Sequence, residues 1–161
     1  MRISLDTKAR VKIGPFSRGG YSRQAQEACD HDFQLTSTLT PFGVLLPQTG
    51  ENHLWFTEGK VTADFMVDRL DEMLPRWKKR FDLHTLVINA DNGTESDGHR
   101  TQWLKRLVEL ADVHQLTIQL AYYPPYHSKY NPVERLWGVW RIIGAERLLT
   151  QPRRHWVWHE A

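Results

Sequence analysis

The sequence predicts an α/β domain in which a mixed sheet carries helices on its faces. One observation is the order of the periodic signals. Short apolar strand patterns stand at the start of the chain and again between Phe42 and Phe56, and from Thr62 onward helical stripes and strand patterns take turns. A second is Leu86-Val87-Ile88, an unbroken apolar run of the kind found in strands covered on both faces. The third is bulk: 161 residues, 40% hydrophobic and 25% charged, describe one ordinary globular domain large enough to bury a core.

Ile3 and Leu5, then Val11 and Ile13, alternate as strand residues, with Asp6 inside the pattern, where an exposed strand position is one reading of it. Gly14 to Gly20 imitates a phosphate-cradling loop but lacks the Lys-Ser/Thr ending of one. From there to about Leu39 no period is visible, and Asp30, His31 and Asp32 read either as metal-type ligands or as a polar loop. Phe42 to Leu46 and His53 to Phe56 read as an antiparallel hairpin turned by Pro47 to Asn52. A helix then starts at the cap Thr62, with Asp64 complementing its dipole and Val61 and Met66 forming a staple. Its stripe runs through Phe65, Met66, Leu70, Met73, Leu74, Trp77 and Phe81, and Pro75 is expected to kink or end it.

The apolar strand Leu86 to Ile88 leads into Asn89-Ala90-Asp91-Asn92-Gly93, a turn that follows a carboxylate directly. Ligands bind at the carboxyl ends of such strands in open α/β sheets. A helix over about Gly98 to Asp112 turns Trp103, Leu104, Leu107, Val108 and Ala111 inward, and Leu116, Ile118 and Leu120 alternate as a final strand. Pro124 and Pro125 stop that strand, whereas Asn131-Pro132 begins a helix, cap first and then proline. Glu134 stands in its first turn. Asn131 and Glu134 have the spacing of a capping box, so Glu134 reads both as a helix cap and as a functional carboxylate delivered by a rigid loop carrying His127, Ser128 and Lys129. On this helix Val133, Leu136, Trp140 and Ile143 form the expected core face. Glu134, Trp137, Gly138 and Arg141 share a neighbouring one.

A net charge of +2, from 21 basic and 19 acidic residues, makes no case for nucleic acid by itself. The clusters Arg76 to Arg80 and Arg100 to Arg106 read first as solvated helix faces. One cysteine, Cys29, excludes an internal disulfide and a cysteine-built zinc site. No run approaches the roughly 18 apolar residues of a membrane span, and no signal-peptide core opens the chain, so a cytoplasmic protein is expected. His155 and His159 have the spacing of a zinc pair but no third ligand.

Three stretches together carry a resemblance: Ser-Leu-Asp-Thr-Lys at the start, Asp-Asn-Gly after the apolar strand, and Tyr-Pro-Pro-Tyr-His-Ser-Lys-Tyr-Asn-Pro-Val-Glu-Arg-Leu-Trp. In order and context they resemble the DDE transposases of bacterial insertion sequences, in the branch related to mariner elements. The resemblance implies a ribonuclease H-like fold, a mixed five-stranded sheet with helices on both faces, over residues 1–149, followed by a divergent C-terminal tail at 150–161. It implies Asp6, Asp91 and Glu134 as a catalytic acidic triad that binds two Mg2+ or Mn2+ ions. Thr94 departs from the proline common after Asp-Asn-Gly, but leaves the carboxylate untouched. The start at the first catalytic strand implies a core lacking its DNA-reading domain.

Phosphodiester hydrolysis needs an activated water and a stabilised leaving alkoxide, and two ions about 3.5–4 Å apart supply both. Magnesium takes oxygen ligands, so carboxylates suit it and histidines are not required. The implied activity is metal-dependent DNA strand cleavage and strand transfer. Double-stranded DNA at element ends and target, and further copies of the chain, are the implied partners, the protein being nucleoid-associated when bound. His127, Lys129 and Arg141 are candidate phosphate contacts. The competing expectation is an inactive remnant that binds DNA or a partner without catalysis.

Overall fold

The computed structural model describes residues 1–13, 37–91, 93, 96–124, 130–144 and 155–158. Strands β1 (Arg2–Thr7), β2 (Val11–Ile13), β3 (Ser37–Leu45) and β4 (Asn52–Thr57) come first. Then follow α1 (Ala63–Phe81), β5 (Thr85–Ala90), α2 (Thr101–His114), β6 (Thr117–Tyr122), α3 (Val133–Gly144) and β7 (His155–Trp158). The sheet order is β6-β5-β1-β3-β4-β7, with β2 paired to β3. Five strands form the expected mixed sheet: β6, β5 and β1 run parallel, and β3 and β4 antiparallel. Two short strands extend it, β7 along the edge of β4 and β2 along the start of β3.

Alternation along β1 and β3 sorts the two faces. Ile3, Leu5, Phe42, Val44 and Trp55 join α1 and α2 in the main core, around the fully buried Leu70, Leu74, Trp77, Leu86 and Trp103. Leu39, Leu54 and Phe56 face the other way, where Trp137 of α3 covers them. With both faces covered, β1 is buried over four consecutive residues.

Thr62 caps α1 as its sequence predicts, its Oγ1 accepting from the Phe65 N–H at 3.2 Å. Pro75 does not end the helix, which continues to Phe81. Met73, Leu74 and Trp77 on either side are buried in one core, and that packing outweighs a lost backbone bond. β3 starts at Ser37, earlier than its apolar run suggests, because it is paired to β2 and β4 around Pro41. α2 starts at Thr101 because Asp97 to Arg100 is closed as a turn by the Arg100 N–H to the Asp97 carbonyl, 2.9 Å.

Most of the described contacts of the two basic clusters are structural. Arg80 and Arg76 reach Glu51, Lys78 donates to the His114 carbonyl at 2.7 Å, and Arg106 pairs with Asp64, Asp68 and Glu109, tying α2 to α1. Glu51 is buried beside the equally buried His53, 2.9 Å away. Burial pushes its carboxyl up, but bonds and charge from His53 and Arg80 outweigh that and hold it below the ordinary range. Among the described residues, no helix is long and apolar enough to cross a membrane.

Candidate active site

The same alternation that turns Ile3 and Leu5 into the main core puts Ser4 and Asp6 on the opposite face, under α3. Asp6 is therefore 7% exposed, which excludes the reading of it as an open strand residue. Its Oδ2 accepts from the Trp137 Nε1–H at 2.7 Å. Burial pushes its carboxyl from 3.8 up to about 6; the bonds from Trp137 and the Thr7 N–H oppose the rise, and the charges of Asp91 and Glu134 add to it.

β5 lies parallel to β1, with Ser4 opposite Asn89, so the two strands end side by side. Asp91 follows β5 immediately. Its loop is held from α2 and β6: the Trp103 Nε1–H donates to the Tyr122 hydroxyl (3.1 Å), that hydroxyl to the Ser96 carbonyl (2.8 Å), and the Ser96 hydroxyl to the Asp91 carbonyl (3.1 Å). A Cβ on Gly93 would stand 3.3 Å from Asp91 Oδ1, so the glycine lets the backbone pass close to the carboxylate.

Glu134 lies in the first turn of α3, half-buried, with the Lys8 ammonium 3.7 Å from its Oε2. The capping box is not what holds this helix start. The Asn131 carboxamide accepts from the Ser4 hydroxyl and donates to the Leu5 carbonyl at 3.0 Å, while the Glu134 N–H reaches only the Asn131 backbone carbonyl. The head of α3 is thus clasped to β1. Trp137, expected beside the core face, is 4% exposed within it.

Asp6 and Asp91 line a cleft of about 570 Å³ together with Lys8, Arg10, Lys60 and Arg100. Glu134 borders it through Lys8, close enough for Asp6 to feel its charge. The donor chemistry suits a hard, oxygen-seeking cation, and a cation would offset the cost that burial places on the charged form of Asp6. Among the described residues, however, no three His, Cys, Asp or Glu side chains are gathered tightly enough to hold one ion. His127 and Lys129 lie outside the described residues, as do Asp30 to Asp32 and His159; Arg141 is in the C-terminal half of α3. His155 is the first residue of β7. Of the four cleft cations, the sequence marked Arg100 only as the start of a basic cluster, and Lys8, Arg10 and Lys60 were not singled out as phosphate contacts. Their only signal is position, since each stands in or beside a connection at one end of the sheet.

Fold and site define a ribonuclease H-like domain with acidic residues at the carboxyl ends of neighbouring strands. Residues 1–146 match the Rhodopirellula transposase DDE domain, and the chain belongs to that family. No curated protein matches it. Among solved structures it is similar to the Mos1 transposase paired-end complex with left transposon end, at TM-score 0.58 and 11% identity over 90% of this chain and 42% of that one. A Mos1 mariner paired-end complex with Mn is similar at TM-score 0.58 and 8% identity, over 91% of this chain and 42% of that one. At these identities the likeness is one of fold, and the chain spans less than half the length of either.

Proposed function

We propose that the chain is the catalytic core of a mariner-related insertion-sequence transposase, carrying out metal-dependent DNA strand cleavage and strand transfer. The observation that carries this reading is the pair Asp6 and Asp91, on adjacent parallel strand ends, in a cleft rimmed by four cations. Asp6, Asp91 and Glu134 would hold two Mg2+ or Mn2+ ions. When bound, such ions supply an activated water and stabilise the leaving oxygen.

The chain's own residues do the rest. Asp6, costly to ionise in its buried position, receives a cation readily. Lys8, Arg10, Lys60 and Arg100 take the phosphates of a strand laid along the cleft, with His127, Lys129 and Arg141 as further contacts. The Mos1 structures, a paired-end complex with left transposon end and one with Mn, support transposon ends as substrate and manganese as an ion for such a site; assembly of further copies of the chain on DNA belongs to the same proposal. A purely DNA-binding remnant is not favoured, because carboxylates on the floor of a phosphate-binding cleft would only repel its ligand.

Supercoiled plasmid incubated with the protein and Mn2+ tests the proposal. Nicking that requires the ion and disappears in Asp6→Asn, Asp91→Asn and Glu134→Gln is expected. Metal-independent DNA binding with no cleavage by any of the four proteins would return the chain to a binding role.

A further inference from the structure

The link between α3 and β1 does more than pack. Trp137 lies across β3 at Gly43, the residue paired with Asp6 in the sheet. A Cβ on Gly43 would meet Trp137 Cη2 at 3.0 Å and Cζ2 at 3.1 Å, so the indole crosses the strand where no side chain blocks it. Filling the apolar layer of Leu39, Leu54 and Phe56 needs only an aromatic ring, and phenylalanine would serve. The Nε1–H, 2.7 Å from Asp6 Oδ2, is a separate feature. A carboxylate turns easily about its last torsion, and a short bond from a buried donor to an ionised oxygen removes that freedom.

We infer that Trp137 is a positioning residue for Asp6: its indole N–H fixes Oδ2 and so sets the direction in which Oδ1 is offered to a divalent cation. This role rests on the metal-dependent reading above. Glu134 and Trp137 are three residues apart on α3, so the helix that carries one acidic residue also orients another. The Asn131 clasp to Ser4 and Leu5 fixes that helix on β1 at its head, and the Trp137 bond fixes it again further along α3. Partners of this kind raise metal affinity by holding a ligand in place, without touching the ion themselves.

Mn2+ titration of the whole chain by calorimetry tests the inference, with thermal melts in EDTA run alongside. Trp137→Phe keeps the ring and loses the donor; it is expected to bind Mn2+ about 10- to 100-fold more weakly, with only a small drop in melting temperature. Gly43→Ala displaces the indole while leaving both partners intact, and is expected to weaken binding in the same direction by less. It decides the matter if Trp137→Phe does not fold. Saturating Mn2+ should restore plasmid nicking to Trp137→Phe but not to Asp6→Asn. Unchanged Mn2+ affinity in a folded Trp137→Phe, with wild-type binding abolished by Asp6→Asn, overturns the positioning role alone. A wild type that takes up no Mn2+ overturns the metal reading, and this inference with it.

Discussion

Replacing Asp6 by Asn should stabilise the metal-free protein, and should do so only above a defined pH. The substitution keeps the side-chain shape and an oxygen for the Trp137 N–H, while removing a charge that is nearly enclosed. A carboxyl titrating at about 6 rather than 3.8 binds a proton in the folded state at pH values where the unfolded chain has already released it. Its protonated form therefore supports the fold below about pH 4, and this support is lost as pH rises through 6. At 1.36 kcal/mol per pH unit, the charged form costs the fold about 3 kcal/mol above pH 7. Urea melts of wild type and Asp6→Asn in EDTA, from pH 4 to pH 8, read the difference directly and cancel the other acids. The stability gap should be about half a kcal/mol at pH 4 and grow to about 3 kcal/mol in favour of Asn by pH 7.5. A variant less stable than wild type at pH 7.5, or a gap independent of pH, would show that burial does not oppress this carboxylate.

Magnesium should reverse the same strain, stabilising the wild type by about 2.7 kcal/mol at a hundredfold over its dissociation constant, a gain that thermal melts should find missing in both Asp6→Asn and Asp91→Asn. Gly93→Ala brings a methyl to 3.3 Å from Asp91 Oδ1 and should lower the nicking rate, by up to about 100-fold, with little change in melting temperature. Arg100→Ala and Lys60→Ala should each weaken DNA binding without regard to sequence and reduce its salt slope by about 1 in fluorescence anisotropy, if each contacts a phosphate. Glu51→Ala strips the buried His53 of its carboxylate partner and should cost about 1–3 kcal/mol in urea melts, far from the cleft and with nicking preserved.

Local pattern carried much of the fold. The run Leu86 to Ile88 marked the doubly covered strand, Thr62 marked the cap of α1, and the position of Asp91 after an apolar strand put a carboxylate where sheets of this kind bind ligands. What local pattern misses is which face meets which neighbour. Asn131 has the spacing of a helix cap, yet its carboxamide is taken by Ser4 and Leu5 on a strand 127 and 126 residues away. Trp137 falls just off the apolar stripe of its helix, and only the path of β3, with Gly43 leaving a gap, draws it into the core and onto Asp6. Asp6 looked exposed because a lone carboxylate in a short alternation usually is; α3 covers it from the far end of the chain. The cleft cations are scattered between Lys8 and Arg100: Lys8, Arg10 and Lys60 stand in no charge run, and Arg100 opens a run whose Arg106 binds α2 to α1.

The central claim is that Asp6, Asp91 and Glu134 hold a pair of divalent ions. Anomalous diffraction at the manganese edge, from crystals soaked in Mn2+, addresses it without relying on activity. Two peaks about 3.5–4 Å apart, with oxygens of Asp6 and Asp91 on one or both and Glu134 swung from Lys8 to complete the set, are the predicted result. Manganese absent from the cleft, or bound with Glu134 still paired to Lys8 and away from the ions, would contradict it.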